Sequence, residues 1–142
     1  MFNSIIFFIL SYDIWFYISH LLLHNIYLYK RIHREHHIVK YETIDYKDSY
    51  TGNFIEGPFQ GIGFVFPLFF IKINLYAIFI SLFIINIRGM LRHDKRFIWL
   101  IGNHHLLHHK YPRYNFGEYW LDKVFRTNYP NINEYEYGLI YM

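Results

Sequence analysis

No cysteine occurs anywhere in this 142-residue chain. That removes disulfides, thiolate metal sites and cysteine nucleophiles together, so any bound metal must be held through nitrogen and oxygen. Charge is also scarce: Asp, Glu, Lys and Arg make up 18% of the residues, and the net charge is +3. The basic residues fall in short clusters interleaved with histidine and form no extended basic face, which sets nucleic-acid binding aside. Four prolines and eight glycines are too few and too scattered to make a linker, and the length points to one domain over 1–142. No alternating apolar–polar stretch of useful length is found, which argues against a sheet and for an all-α fold.

Apolar and aromatic residues are abundant, at 54% and 23% of the chain, a balance that fits either a large core or contact with lipid. Residues 2–28 are apolar apart from Asp13, His20, His24 and a few Asn, Ser and Tyr, and about 20 such residues let a helix cross a bilayer. A signal peptide fits poorly, because Asp13 interrupts the run and neither a basic leading segment nor a small-residue cleavage site accompanies it.

The second apolar run, Gly57 to Ile87, contains Pro67, Lys72 and Asn74. Lys30, Arg31, Arg34 and Lys40 follow the first run, while Arg88, Arg92, Lys95 and Arg96 follow the second. Both clusters are expected on the cytoplasmic side. Two full crossings would need about 40 residues, and the second run offers only about 30. The expectation is therefore a shallow hairpin that turns near Lys72 to Asn74, with Pro67 kinking its first arm. Helices are expected at about 3–24, 26–39, 57–71, 74–93, 98–110 and 117–125.

Ten histidines stand out against this background. His20 and His24 are four apart in HLLLH; His33, His36 and His37 in HREHH, and His105, His108 and His109 in HLLHH, are spaced i, i+3, i+4. On a helix each set lines one face. Imidazole is the commonest biological metal ligand and suits zinc, copper, iron and nickel. Eight of them exceed what one tetrahedral ion takes, which points to two metals. One such pair is ordinarily a chance surface feature, but three stripes beside a bilayer, where unsatisfied polar groups are costly, are not. A membrane metal transporter or metal buffer is the competing class. It calls for ionisable residues along a crossing path, whereas these histidines gather at the ends of the apolar runs beside basic residues.

The three boxes, with the lead YDIWFYISHLLLH, the arm YKRIHREHH and the closing segment NFGEYWLDKVFRTN, resemble those of the fatty acid hydroxylase and sterol desaturase superfamily, the integral-membrane non-haem di-iron enzymes. The resemblance runs from Asp13 to about Asn128. It implies an integral membrane helical domain with a histidine-rich di-metal cap on the cytoplasmic side, in a membrane of the endoplasmic-reticulum type. It also implies two iron ions, O2 as co-substrate, and hydroxylation or desaturation of a fatty acyl or sterol C–H bond. Electrons would come from a separate cytochrome b5-like donor.

By the same resemblance the metal ligands are His20, His24, His33, His36, His37, His105, His108 and His109. His93 joins them as the family's isolated histidine after the last membrane segment, and no catalytic residue beyond the ligands is expected. His104, Asp13, Asp122 and Asn115 are candidates for supporting them. Asp13 either orients a ligand or an incoming helix or is a polar anchor at the membrane edge. Asp122 either holds a ligand's second ring nitrogen or merely caps or pairs with Lys123 and Arg126. Asn115 and Gly117 are expected to make the turn that aims the last helix, and Glu35 to face solvent. Family members usually have further membrane helices before the first box. The resemblance thus implies a shortened amino-terminal hairpin here, with a truncated, inactive member as an alternative.

Overall fold

The computed structural model describes residues 1–140 and is built of helices, with no strand among the described residues. Helix α1 covers Phe2–Leu23, a run without proline or glycine in which Asp13 is the only charged residue before His20. A three-residue α2, Ile26–Leu28, opens the next segment, with the Asn25 side chain accepting from the Tyr27 amide at its start. Then come α3 (Glu56–Val65), α4 (Leu75–Arg92), α5 (Ile98–Ile101), α6 (His104–Lys110) and α7 (Tyr119–Phe125). Both α1 and α4 are long and apolar enough to cross a membrane. Their outward side chains are large and apolar: Phe79 and Phe83 on α4 are each 67% exposed, the surface expected of a helix solvated by lipid rather than by water.

Helix α1 is the post on which the others lean. Gly63 of α3 packs against it so closely that a Cβ there would come within 2.3 Å of Trp15 Cβ. Ser11 Oγ donates to Gly63 O at 2.7 Å and Trp15 Nε1 to Phe59 O at 2.7 Å, while Phe8 stacks on Phe64. Helix α4 is tied to α1 by the ion pair of Arg88 with Asp13. Asp13 is buried, and its carboxylate faces α4.

Two expectations need correction. The segment 26–39 is not one α-helix. After α2 it winds as a π-helical turn over Tyr29–His33, closed by the Arg34 amide donating to Tyr29 O at 2.8 Å, and then as a 3-10 turn over His36–Ile38. Local rewinding of this kind re-aims side chains. The run 98–110 breaks at Gly102, whose φ of 75° lies in the region that favours glycine. The hairpin does turn over Ile71–Asn74, with Asn74 capping α4 through the Ala77 amide. Pro67 starts a 3-10 turn, Phe66–Phe69, that ends the first arm. Lys72 lies in that turn, so α4, about 27 Å long at 1.5 Å per residue, runs without a charged residue until Arg88.

Candidate metal centre

The end of α1, the 29–38 turns, the residue after α4, and α6 meet at one place. There the histidines form two groups, one of His20, His24, His33, His37 and His108, the other of His36, His93, His105 and His109. Within each group the candidate ligand atoms all lie within 4.8 Å of one another. All nine histidines expected as ligands are in these groups, and the tenth, His104, is in neither. The rewound 29–38 segment explains the division. A regular helix would keep His33, His36 and His37 on one face, whereas here His33 and His37 turn to the first group and His36 to the second.

Hydrogen bonding sets the state of these rings. His20 Nδ1 lies 2.6 Å from Phe116 O and His108 Nδ1 lies 2.6 Å from Tyr114 O. His36 Nδ1 is 2.9 Å from Thr51 O, and His93 Nδ1 is 2.8 Å from Gly89 O. A carbonyl oxygen only accepts, so each of these Nδ1 atoms carries the proton and each Nε2 presents a bare lone pair. Yet the Nε2 atoms face one another. His36 and His93 are 3.2 Å apart and His93 and His105 are 3.2 Å apart. In the first group, His33 Nε2 lies 3.0 Å from His20, 3.1 Å from His24 and 3.0 Å from His37. His108 Nε2 lies 3.1 Å from His37 and 3.2 Å from His24.

Two acceptors facing each other repel, and only a cation between them turns the arrangement favourable. With a metal about 2.0–2.1 Å from each imidazole nitrogen, two ligands at a right angle sit about 3.0 Å apart. The observed spacing fits that arrangement. Burial lowers the pKa of His24 to about 4 and that of His93 to about 3; burial together with neighbouring imidazoles also lowers His33, His37, His105, His108 and His109. The rings are thus neutral and ready to ligate at neutral pH. Both ring nitrogens of His109 are buried without a hydrogen-bond partner, as expected of a group completed by something else.

A loop at 114–117 aims two ligands of the first group at once, through the carbonyls of Tyr114 and Phe116. Asn115 takes up a φ of 60° within it and hydrogen-bonds His104 O, the Tyr129 amide and the Tyr135 hydroxyl. Asp122 closes the loop. One carboxylate oxygen accepts from the Phe116 amide and Thr127 Oγ1, the other from the Gly117 amide and His104 Nε2, at 2.6–3.0 Å. The expectation that Asp122 holds a ligand histidine is thus corrected. Its histidine partner is His104, outside both groups, and its main hold is on backbone amides. Gly117 is needed where the loop crosses α1, since a Cβ would lie 2.9 Å from Tyr17 Cβ. Glu35 is exposed, as expected.

Sequence reading missed several supporting groups. Glu56 Oε1 lies 2.8 Å from His33 Nδ1 in a fully enclosed setting, the carboxylate–histidine contact that commonly orients metal ligands. Its one visible trait was being an acid at the head of an apolar run. Arg88 reaches both Asp13 and Glu118, and Arg92 pairs with Glu118. These four charges tie α1, α4 and the start of α7 beneath the histidines. A cavity of about 470 Å³ opens beside them, walled by α1, α3 and α4, and reaches His20 of the first group and His36, His93 and His105 of the second.

Comparison with known proteins places these features in context. The fatty acid hydroxylase family model matches residues 5–127. Human lathosterol oxidase is 32% identical over 129 residues, covering 82% of this chain and 41% of its own length. The Delta(7)-sterol 5(6)-desaturase erg31 of Schizosaccharomyces pombe is 28% identical, covering 85% of this chain and 47% of its own. The Delta(7)-sterol-C5(6)-desaturase of Nicotiana tabacum is 31% identical, covering 78% and 44%. The chain thus spans less than half the length of the curated relatives it matches. No solved structure matches it significantly.

Proposed function

The chain belongs to the fatty acid hydroxylase family, and from that premise we propose that it is a membrane-bound, O2-dependent oxidoreductase acting on a lipid C–H bond. The observation that carries this reading is the pair of histidine groups whose ring nitrogens converge, with the Nε2 lone pairs of His36 and His93 facing each other at 3.2 Å. Nine neutral nitrogens and no carboxylate in the inner set fit two iron ions held by imidazole. His20, His24, His33, His37 and His108 would hold one ion, and His36, His93, His105 and His109 the other. When bound, the two irons would supply the reduction of O2 and the oxidation of the substrate carbon.

The chain's own residues do the rest. Phe116, Tyr114, Thr51 and Gly89 fix the ring tautomers through their carbonyls. Glu56 orients His33. The cavity beside both groups would hold the lipid with its reactive carbon near His20 and His105. The names of the relatives, lathosterol oxidase and sterol desaturase, favour a sterol over an acyl chain and desaturation over hydroxylation. Since both outcomes begin with loss of hydrogen from carbon, the same site serves either. A cytoplasmic-facing site in an endoplasmic-reticulum-like membrane, served by a separate cytochrome b5-like donor, completes the proposal, with residues 1–142 acting as one domain.

The experiment is elemental analysis of detergent-purified protein made in iron-supplemented cells, followed by incubation of the loaded protein with O2, a reductant system and sterol or acyl lipids. About two irons per chain and an oxidised lipid product are expected. A folded helical protein without stoichiometric metal would overturn the reading.

A further inference from the structure

The walls of the cavity hold an unexplained economy of side chains. Helices α3 and α4 both pack on α1 but scarcely touch each other, leaving a cleft with α1 at its base and the 49–54 segment as its roof. Glycines line both sides: Gly57 and Gly61, one turn apart on α3, and Gly89 on α4. Gly61 and Gly89 lie inside helices, where a glycine costs about 1 kcal/mol relative to alanine, and with Gly57 in the first turn of α3 they need a reason.

The neighbouring Gly63 has one, since Trp15 occupies the place of its missing side chain. Close packing gives no such reason for the other three. A Cβ at Gly57, Gly61 or Gly89 would meet nothing within 4 Å. Their missing side chains are volume left to the cleft, in a cavity that ends on histidines of both groups. Its size, about 470 Å³, is that of a site for one small ligand.

Resting on the lipid-oxidising reading above, we infer that Gly57, Gly61 and Gly89 are specificity-determining residues, which keep the cleft wide enough for a rigid fused-ring lipid rather than a single acyl chain. At these three points the walls are bare backbone between the side chains of Gln60 and Phe64 on α3 and of Ile85 and Asn86 on α4, and the added width matches a fused ring system, which is broader than one acyl chain. Enlarging any of the three positions narrows the slot and moves the preference from ring to chain.

The test uses the full metal-loaded chain in lipid nanodiscs, photolabelled with a diazirine sterol or a diazirine fatty acid. Gly61→Leu and Gly89→Leu are each expected to lower sterol labelling about tenfold, the equivalent of about 1.4 kcal/mol of overpacking, while acyl labelling is kept or raised. Gly61→Ala and Gly89→Ala are expected to shift the same ratio by less. Metal content reports whether each variant is folded, and the alanine variants, which add a helix-favouring methyl to open space, decide the matter if the leucine variants lose metal.

An unchanged sterol-to-acyl ratio would overturn the assignment of the glycines while leaving the lipid reading in place. So would loss of both labels together with metal retained. Loss of an oligomer in the variants at constant ratio would show that the glycines pack against a second copy of the chain instead. A parent protein that takes up neither probe would overturn the lipid reading and this inference with it.

Discussion

Asp122 and His20 do not touch, yet one sets the other. Asp122 accepts from the Phe116 amide at 2.9 Å, and the Phe116 carbonyl takes the Nδ1 proton of His20 at 2.6 Å. The same loop aims His108 through Tyr114. Both histidines are in the group of five and neither is in the group of four. Asp122→Ala is therefore expected to weaken one metal site more than the other, so that stoichiometry falls from about two toward about one per chain. Elemental analysis after gel filtration reads this. A variant that keeps both ions, or releases both together, would sink the link from Asp122 to the five-histidine group.

Glu56 offers a second test. Its carboxylate faces His33 Nδ1, and loss of such a partner typically costs about 10–100-fold in metal affinity. Glu56→Ala should show that loss in chelator competition, and Glu56→Gln, which keeps a hydrogen-bonding oxygen, should recover part of it. Equal competition curves for the parent and both variants would remove Glu56 from the site.

His108 and Glu35 should respond differently to alanine. His108 lies within 3.2 Å of two other ligand nitrogens, and His108→Ala should lose metal and activity together. Glu35 lies between ligands in the sequence but faces solvent, and Glu35→Ala should leave both unchanged within error. The pair makes a matched control, measured by iron content and product formation on the same preparations.

Stability of the metal-free protein should fall with acidity in a defined window. Burial lowers His24 to about 4 and His93 to about 3, whereas an unfolded histidine titrates near 6.5. Below that value the unfolded chain binds protons that the folded chain does not, so stability is full above about pH 6.5 and declines as pH falls toward about 4. Thermal melting of chelator-treated protein at pH 7.5, 6.0 and 5.0 would show a stepwise fall in Tm. A flat profile would mean the histidines are not buried neutral in the folded state.

Arg88 and Asp13 form an enclosed ion pair between α1 and α4. Removing one partner of such a pair ordinarily costs about 3–5 kcal/mol because a charge is left uncompensated. Asp13→Ala and Arg88→Ala should each destabilise strongly, and the double variant by less than their sum. Additive effects in thermal denaturation would deny the coupling. Glu118 lies 3.4 Å from Arg88 and shares its charge, so the Asp13 variant should be the milder of the two.

The sequence exposed the parts of the centre that repeat at helical spacing. His20 and His24 lie on one regular helix, and their meeting follows from a period that α1 keeps to its end. His33, His36 and His37 were read as one face because nothing in YKRIHREHH announces a π-helical turn. That turn depends on Asn25 capping the segment and on groups brought in from elsewhere, Glu56 for His33 and Thr51 for His36. Gly102 was visible only as a glycine, and its role as the break before α6 depends on the carboxyl-terminal segment folding back onto it. The support of the ligands was the least legible part, since it runs through the backbone carbonyls of Gly89, Tyr114 and Phe116, and a carbonyl looks the same in every residue.

That fold-back has a consequence for how the protein opens. Gly138 lies against Gly102 so closely that a Cβ on it would fall 2.3 Å from the Gly102 nitrogen. On either side, Asn103 hydrogen-bonds the 134–136 backbone, while the Leu139 and Ile140 amides donate to the carbonyls of Trp99 and Leu100. Two glycine backbones thus fasten the ends of a loop that carries α6, the aiming loop and α7. A loop closed at its neck tends to exchange its amide protons as one cooperative unit. The histidines it carries, His105, His108 and His109, would then become accessible together, while His20 and His24, at the end of α1, lie outside that loop.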